Sequence, residues 1–153
     1  MPRPRQPFDR VDWARIRIYD GAAGSGTMVR RAVLWASGGR AVALGNAVFL
    51  PDRCRGDVAV LAHELTHCAQ YQAWGARRYF VRGAMAQLRE LLHRTFGVGV
   101  SPYTYTLDTG KPLHAYGMEQ QAQIIEDAVR RAALLSSPPR GPEYSHPDRR
   151  SSP

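Results

Sequence analysis

The chain is 153 residues long, 44% hydrophobic, and carries a formal net charge of +8 from 21 Lys and Arg against 13 Asp and Glu. That length suits a single domain with one modest core and leaves no room for a second catalytic domain. Its two cysteines, Cys54 and Cys68, belong to no C-x-x-C pair, which excludes a disulfide scaffold and an all-cysteine zinc site, and no apolar run approaches the roughly 20 residues that cross a bilayer.

Residues 1–10 are rich in proline and arginine and read as a disordered arm. A signal peptide needs an apolar stretch there, so the expectation is a cytoplasmic protein, or one secreted without a cleavable signal. Ile16, Ile18 and Tyr19 suggest a first strand, followed by a small-residue loop over Gly21 to Gly26 that lacks the Gly-Lys-Ser/Thr ending of a phosphate-binding loop. Arg31 to Ala36 and Arg40 to Leu50 read as two strands turning at Ser37-Gly38-Gly39, with Val42, Leu44, Val48 and Phe49 as apolar members. From Asp57, a plausible N-cap, the stripe Val58, Leu61, Leu65 and Cys68 predicts a helix that stops at Gly75.

A second helix is expected over Ala76 to Phe96, burying Phe80, Ala84, Leu88 and Leu91 and presenting Arg78, Arg82 and Arg89 to solvent. No aromatic residues interleave those arginines, and the positive charge is spread along the chain, so nucleic acid is not the expected partner. Tyr103 to Thr106 has strand composition, Asp108 to Pro112 a turn, and Tyr116 to Leu135 a helix with Met118, Ala122, Ile125 and Val129 at helical spacing. Residues 136–153 read as a flexible tail, which leaves 11–135 as the folded domain.

The chemistry is concentrated in His63-Glu64-Leu65-Thr66-His67. Residues four apart share a helix face, so both imidazoles can offer a ring nitrogen to one Zn²⁺. Glu64 sits about 100° round the helix, out of easy reach of the metal but placed to take a proton from water. A solvated helix face would leave the two histidines unexplained beside the bulky Val60, Tyr71 and Trp74.

A catalytic zinc site takes three protein ligands. No histidine stands at the metzincin spacing, and the downstream candidates are His93, Asp108, His114, Glu119, Glu126 and Asp127. Glu119 is favoured because it opens a helix whose apolar face would dock against the motif helix; Glu126, about 10 Å further along the axis, is the alternative. Gln123 or Asp127 could accept the second N–H of a ligating histidine. Tyr105, His114 and Tyr116 are the candidates for stabilising an oxyanion, and the strand ending at Asn46 to Leu50 for pairing with an extended peptide.

Ala43-Leu44-Gly45-Asn46-Ala47-Val48-Phe49-Leu50 and Leu61-Ala62-His63-Glu64-Leu65-Thr66-His67-Cys68-Ala69-Gln70 resemble the zincin-like core domain of bacterial extracellular contractile injection systems. The segment Tyr116 to Asp127, with Glu119-Gln120-Gln121-Ala122, is similar to the companion motif of Vgr-related metallopeptidases linked to type VI secretion. The resemblance covers about residues 15–130, and Cys68 and Ala69 depart from it where bulkier apolar residues are expected. It implies an α+β, zincin-like fold, in which a small β-sheet accompanies an active-site helix and a following helix carries the third ligand. It also implies His63, His67 and Glu119 as zinc ligands and Glu64 as general base of a gluzincin-type peptidase. The implied partners are a protein or peptide substrate and a secretion-system component or cognate inhibitor. Two other readings stand beside it: a DNA-associated zincin of the SprT or ImmA type, and a non-catalytic adaptor that keeps zinc for stability.

Overall fold

The computed structural model describes residues 10–22 and 27–136. The expected N-terminal arm apart from Arg10, most of the loop before Thr27, and the expected tail beyond Ser136 lie outside the described residues. Within them the chain is α+β, with four α-helices and a three-stranded mixed sheet.

Strands β1 (Arg17–Tyr19), β2 (Val42–Leu44) and β3 (Ala47–Phe49) lie in the order β1-β3-β2, with β3 parallel to β1 and antiparallel to β2. The hairpin turns at Gly45-Asn46, in the middle of the single strand expected over Arg40 to Leu50. Gly45 has φ +65°, and a Cβ there would stand 3.3 Å from the Tyr71 ring, so both backbone sign and space demand glycine.

The strand expected over Arg31 to Ala36 is instead part of helix α1 (Thr27–Ala36). Arg30, Val33 and Leu34 turn inward while Arg31, Ala32 and Trp35 face water, a period near 3.6 that the short apolar run had concealed. Ser37-Gly38-Gly39 is the stop of this helix: Gly39 N donates to Leu34 O at 2.6 Å, with Gly38 and Gly39 at φ +67° and +74°. The buried Arg30 guanidinium fastens α1 to the end of β3 by donating twice to Leu50 O (2.9 and 2.6 Å) and to Asp52 Oδ1 (3.0 Å).

Helix α2 (Val58–Trp74) begins and ends where its sequence signals place it. Asp57 Oδ1 accepts from Ala59 N and Val60 N, each at 3.0 Å, and Gly75 closes the other end. Helix α3 (Ala76–Phe96) follows, but its register differs from the expected one. Tyr79, Ala86 and Glu90 are buried, whereas Phe80, Ala84, Leu88 and Leu91 are exposed along with the three arginines. Two apolar stripes overlap on this helix, and the Tyr79 hydroxyl decides between them by donating to Ala43 O at 3.0 Å. Arg82 lies 4.4 Å over the Trp74 ring.

Tyr103 to Thr106 forms no strand, because helix α4 (Met118–Ser136) supplies its partners through side chains. Gln120 Nε2 donates to Thr104 O at 2.7 Å, and Tyr105 OH to Asp127 Oδ2 at 2.5 Å. The turn at Asp108 forms as expected, with Lys111 N donating to Asp108 O at 3.1 Å. Ala43, Val48, Leu50 and Cys68 make the core, flanked by Ile16, Ala41, Val60, Leu61 and Leu65; Val58, assigned to that stripe, is exposed. No helix among the described residues is long and apolar enough to cross a membrane.

Candidate metal centre

One turn of α2 separates His63 from His67, and their rings sit 5.0 Å apart, centroid to centroid. Glu119, in the first turn of α4, faces them: its Oε2 is 3.3 Å from His67 Nε2 and 3.8 Å from His63 Nε2. Ligand atoms from all three lie within 4.8 Å of one another, close enough to hold one metal ion. None of the three side chains is more than 13% exposed. Two imidazoles and a carboxylate, mutually converging and shielded from water, are the donor set that Zn²⁺ takes in a three-ligand site, so these residues fit that ion.

A second layer fixes the donors. Gln70 Nε2 donates to Met118 O (3.0 Å) and to Gln121 Oε1 (3.3 Å), and Gln121 Nε2 donates to Tyr116 O (2.8 Å). Backbone carbonyls can only accept, so both amide orientations are determined, and Gln70 Oε1 is the atom left facing His67 Nδ1 at 2.9 Å. His67 therefore carries a proton on Nδ1 and turns Nε2 toward Glu119 and His63. Around His63 the corresponding group is Glu126, whose Oε2 approaches Nδ1 to 3.0 Å, though off the direction a hydrogen bond requires. Gln123 and Asp127 bond to each other (3.0 Å), and Asp127 to Tyr105, so neither takes the accepting role expected of it.

Charge is balanced tightly within this cluster. Burial pushes the Glu64 carboxyl up, as do the nearby Glu119 and Glu126, while the two imidazoles pull it back; the net shift is upward. Burial alone would lower His67, but contact with Glu119 and the charges of Glu119 and Glu64 raise it. Burial likewise works against Glu119, which the two imidazoles nonetheless hold down to about 2.

His63, Glu64, His67 and Glu119 line a cavity of about 730 Å³. One wall is Ala41 to Leu44, the other the α3 residues Phe80, Gly83, Ala84 and Gln87. The edge strand beside the site is therefore β2; β3, expected to pair with a peptide, is the central strand and is already bonded on both sides. Tyr105, His114 and Tyr116 do not line the cavity. Tyr105 is committed to Asp127, His114 is exposed, and Tyr116 OH accepts from Asp108 N at 2.9 Å. Tyr79 and Tyr103 line it instead. Tyr103 stands two residues from Tyr105 in a stretch of alternating Tyr and Thr, and nothing in that pattern distinguishes the two. Burial, and then the charge of Glu119, raise the pKa of the Tyr103 hydroxyl.

A small mixed sheet, a helix bearing two histidines one turn apart and a later helix returning a glutamate define an α+β chain with a candidate metal site. Residues 6–75 match the family model described as the eCIS core domain, which supports an association with extracellular contractile injection systems. The matched stretch includes His63, Glu64 and His67 and ends at Gly75, so Glu119 and the α3 wall of the cavity lie beyond it. No curated protein matches the chain, and no solved structure does.

Proposed function

We propose that the protein is a zinc-dependent metallopeptidase acting in association with a contractile injection system, as an effector or a processing protease. The observation that carries this reading is that Glu64 opens into the same cavity on which His63, His67 and Glu119 converge. These three residues would hold the zinc, which when bound supplies Lewis-acid polarisation and lowers the pKa of water.

The remaining chemistry belongs to the chain's own side chains. Glu64, its carboxyl pushed up chiefly by burial, takes the proton from attacking water and returns it to the leaving amine. Tyr103 donates its hydroxyl hydrogen to the oxygen that gains charge as the carbonyl is attacked. An extended substrate lies along β2, between that edge and α3, with main-chain pairing to the strand. Gln70, with Gln121 behind it, keeps His67 in the tautomer that a ligand needs.

The test is Glu64→Gln, which keeps size and removes the proton acceptor. Turnover of a peptide library should fall by about 10² to 10⁴-fold, with bound zinc and circular dichroism unchanged. A zinc-loaded variant as active as the wild type would sink the mechanism. A zinc-loaded wild type inactive across diverse peptides would favour the non-catalytic module, a reading supported by the way the ligand cluster ties α2 to α4.

A further inference from the structure

The charges around the cavity are not evenly distributed. The carboxylates that line it, Glu64 and Glu119, both belong to the His63, His67 and Glu119 cluster or stand beside it. Elsewhere the charged side chains lining it are Arg40, just before the edge strand, and Arg94, near the end of α3. Arg40 is exposed and makes one side-chain hydrogen bond, Nε to Ser37 O at 3.3 Å, so its terminal amino groups have no carboxylate among the described residues. Arg94 is anchored differently. Its Nε donates to Glu90 Oε1 at 2.6 Å, and Glu90 Oε2 is in turn held by Ser101 at 2.7 Å. That anchor holds Arg94 through Nε, with 69% of the side chain exposed. Gln87 and the Tyr103 hydroxyl, 3.4 Å apart, also line the cavity.

From this we propose that the cleft selects peptide segments bearing a carboxylate side chain, recognised by Arg40 and Arg94, with flanking apolar residues against Phe80, Ala84 and Leu44. The inference rests on the peptidase reading and names its substrate class. Two exposed guanidinium groups lining the cleft attract an acidic side chain and repel a lysine or arginine, and because water screens them the effect is one of discrimination more than of total affinity. A basic protein of this net charge would also gain encounter rate with acidic partners, but that gain is diffuse and would not depend on two particular arginines.

The experiment uses the full chain loaded with zinc and three labelled peptides of one apolar sequence, differing only in Glu, Gln or Lys at the central positions. Binding is read by fluorescence anisotropy on the Glu64→Gln protein, and cleavage on the wild type. The Glu peptide should bind roughly five- to tenfold more tightly than the Gln peptide at low salt, and the advantage should shrink at high salt. Arg40→Gln with Arg94→Gln should erase that preference while circular dichroism and zinc content stay unchanged. Arg40→Glu should move the preference toward the Lys peptide. Equal binding of the Glu and Gln peptides, or a preference that survives the double substitution, would overturn the inference. If the wild type cleaves all three peptides equally, selectivity fails and the peptidase reading stands. If the arginine-dependent preference appears in binding and nothing is cleaved, selectivity stands and the peptidase reading fails.

Discussion

Gln70 and Gln121, on α2 and α4, are joined side chain to side chain at 3.3 Å with both residues at most 2% exposed. Such a pair is costly to bury unless each polar atom is satisfied, and here the Met118 and Tyr116 carbonyls and the His67 ring complete the set. The pair therefore sets the docking of two helices and the protonation pattern of a candidate ligand together.

Removing one member should expose that double duty. Gln121→Leu leaves Gln70 Nε2 and Tyr116 O short of a partner, and should lower unfolding stability by about 1–3 kcal/mol. Gln70→Leu also frees His67 Nδ1 and should weaken zinc binding by roughly 10 to 100-fold. Urea denaturation and zinc titration on both variants check this; equal zinc affinity in wild type and Gln70→Leu would remove the tautomer role.

The two glutamates of α4 should separate cleanly. Glu119→Ala and His67→Ala should lose zinc under conditions in which the wild type holds one ion per chain. Glu126→Gln should keep the ion but bind it roughly 10 to 100-fold more weakly, because it touches His63 from behind. Metal analysis after dialysis reads both. Full occupancy in Glu119→Ala with loss in Glu126→Gln would exchange their roles.

On the peptidase reading proposed above, Tyr103, which lines the cavity, is the tyrosine whose hydroxyl should matter to turnover. Tyr103→Phe should reduce kcat by on the order of 10²-fold and leave zinc content alone. Tyr105→Phe, which only releases Asp127, should leave kcat near the wild-type value. Comparable losses in the two variants would point to general loosening of the loop.

Asp57 ties the helix carrying the motif to pH. Its carboxyl lies below the ordinary aspartate range, chiefly through the Val60 N–H, with the Arg130 charge and the Ala59 N–H assisting against burial. A carboxyl whose folded pKa is depressed stabilises the fold fully above the unfolded value of about 4 and loses that contribution as pH falls through the folded one. Asp57→Ala should then cost about 1 kcal/mol at pH 7, and the gap between variant and wild type should close below about pH 4. A gap unchanged between pH 7 and pH 3 in urea titrations would count against the cap.

Local signals with a single reading carried far in this chain. Asp57, the four-residue spacing of the histidines and Gly75 define α2 without ambiguity, and the matching fit of Glu119 follows from its place at the start of an apolar-faced helix. Elsewhere one set of residues serves two local structures equally well. Gly38-Gly39 serves equally as a hairpin turn or a helix stop, and the Gly45-Asn46 pair that makes the hairpin sat inside an apolar run. On α3 the choice between overlapping stripes belongs to a hydrogen bond with a strand 36 residues away. The partners of Glu126, Tyr103 and Gln70 are likewise tertiary, and no spacing rule reports them.

The chain leaves α2 just beyond His67 and returns to it at Glu119, and the buried Gln70–Gln121 contact spans 51 residues of sequence. An ion shared by the two helices would be a clasp on that long excursion, restraining it in the unfolded chain by about 3–4 kcal/mol of closure entropy. Chelation should therefore do more than silence the site: with the clasp undone, α4 and the loop before it become the first part of the protein to open to added protease.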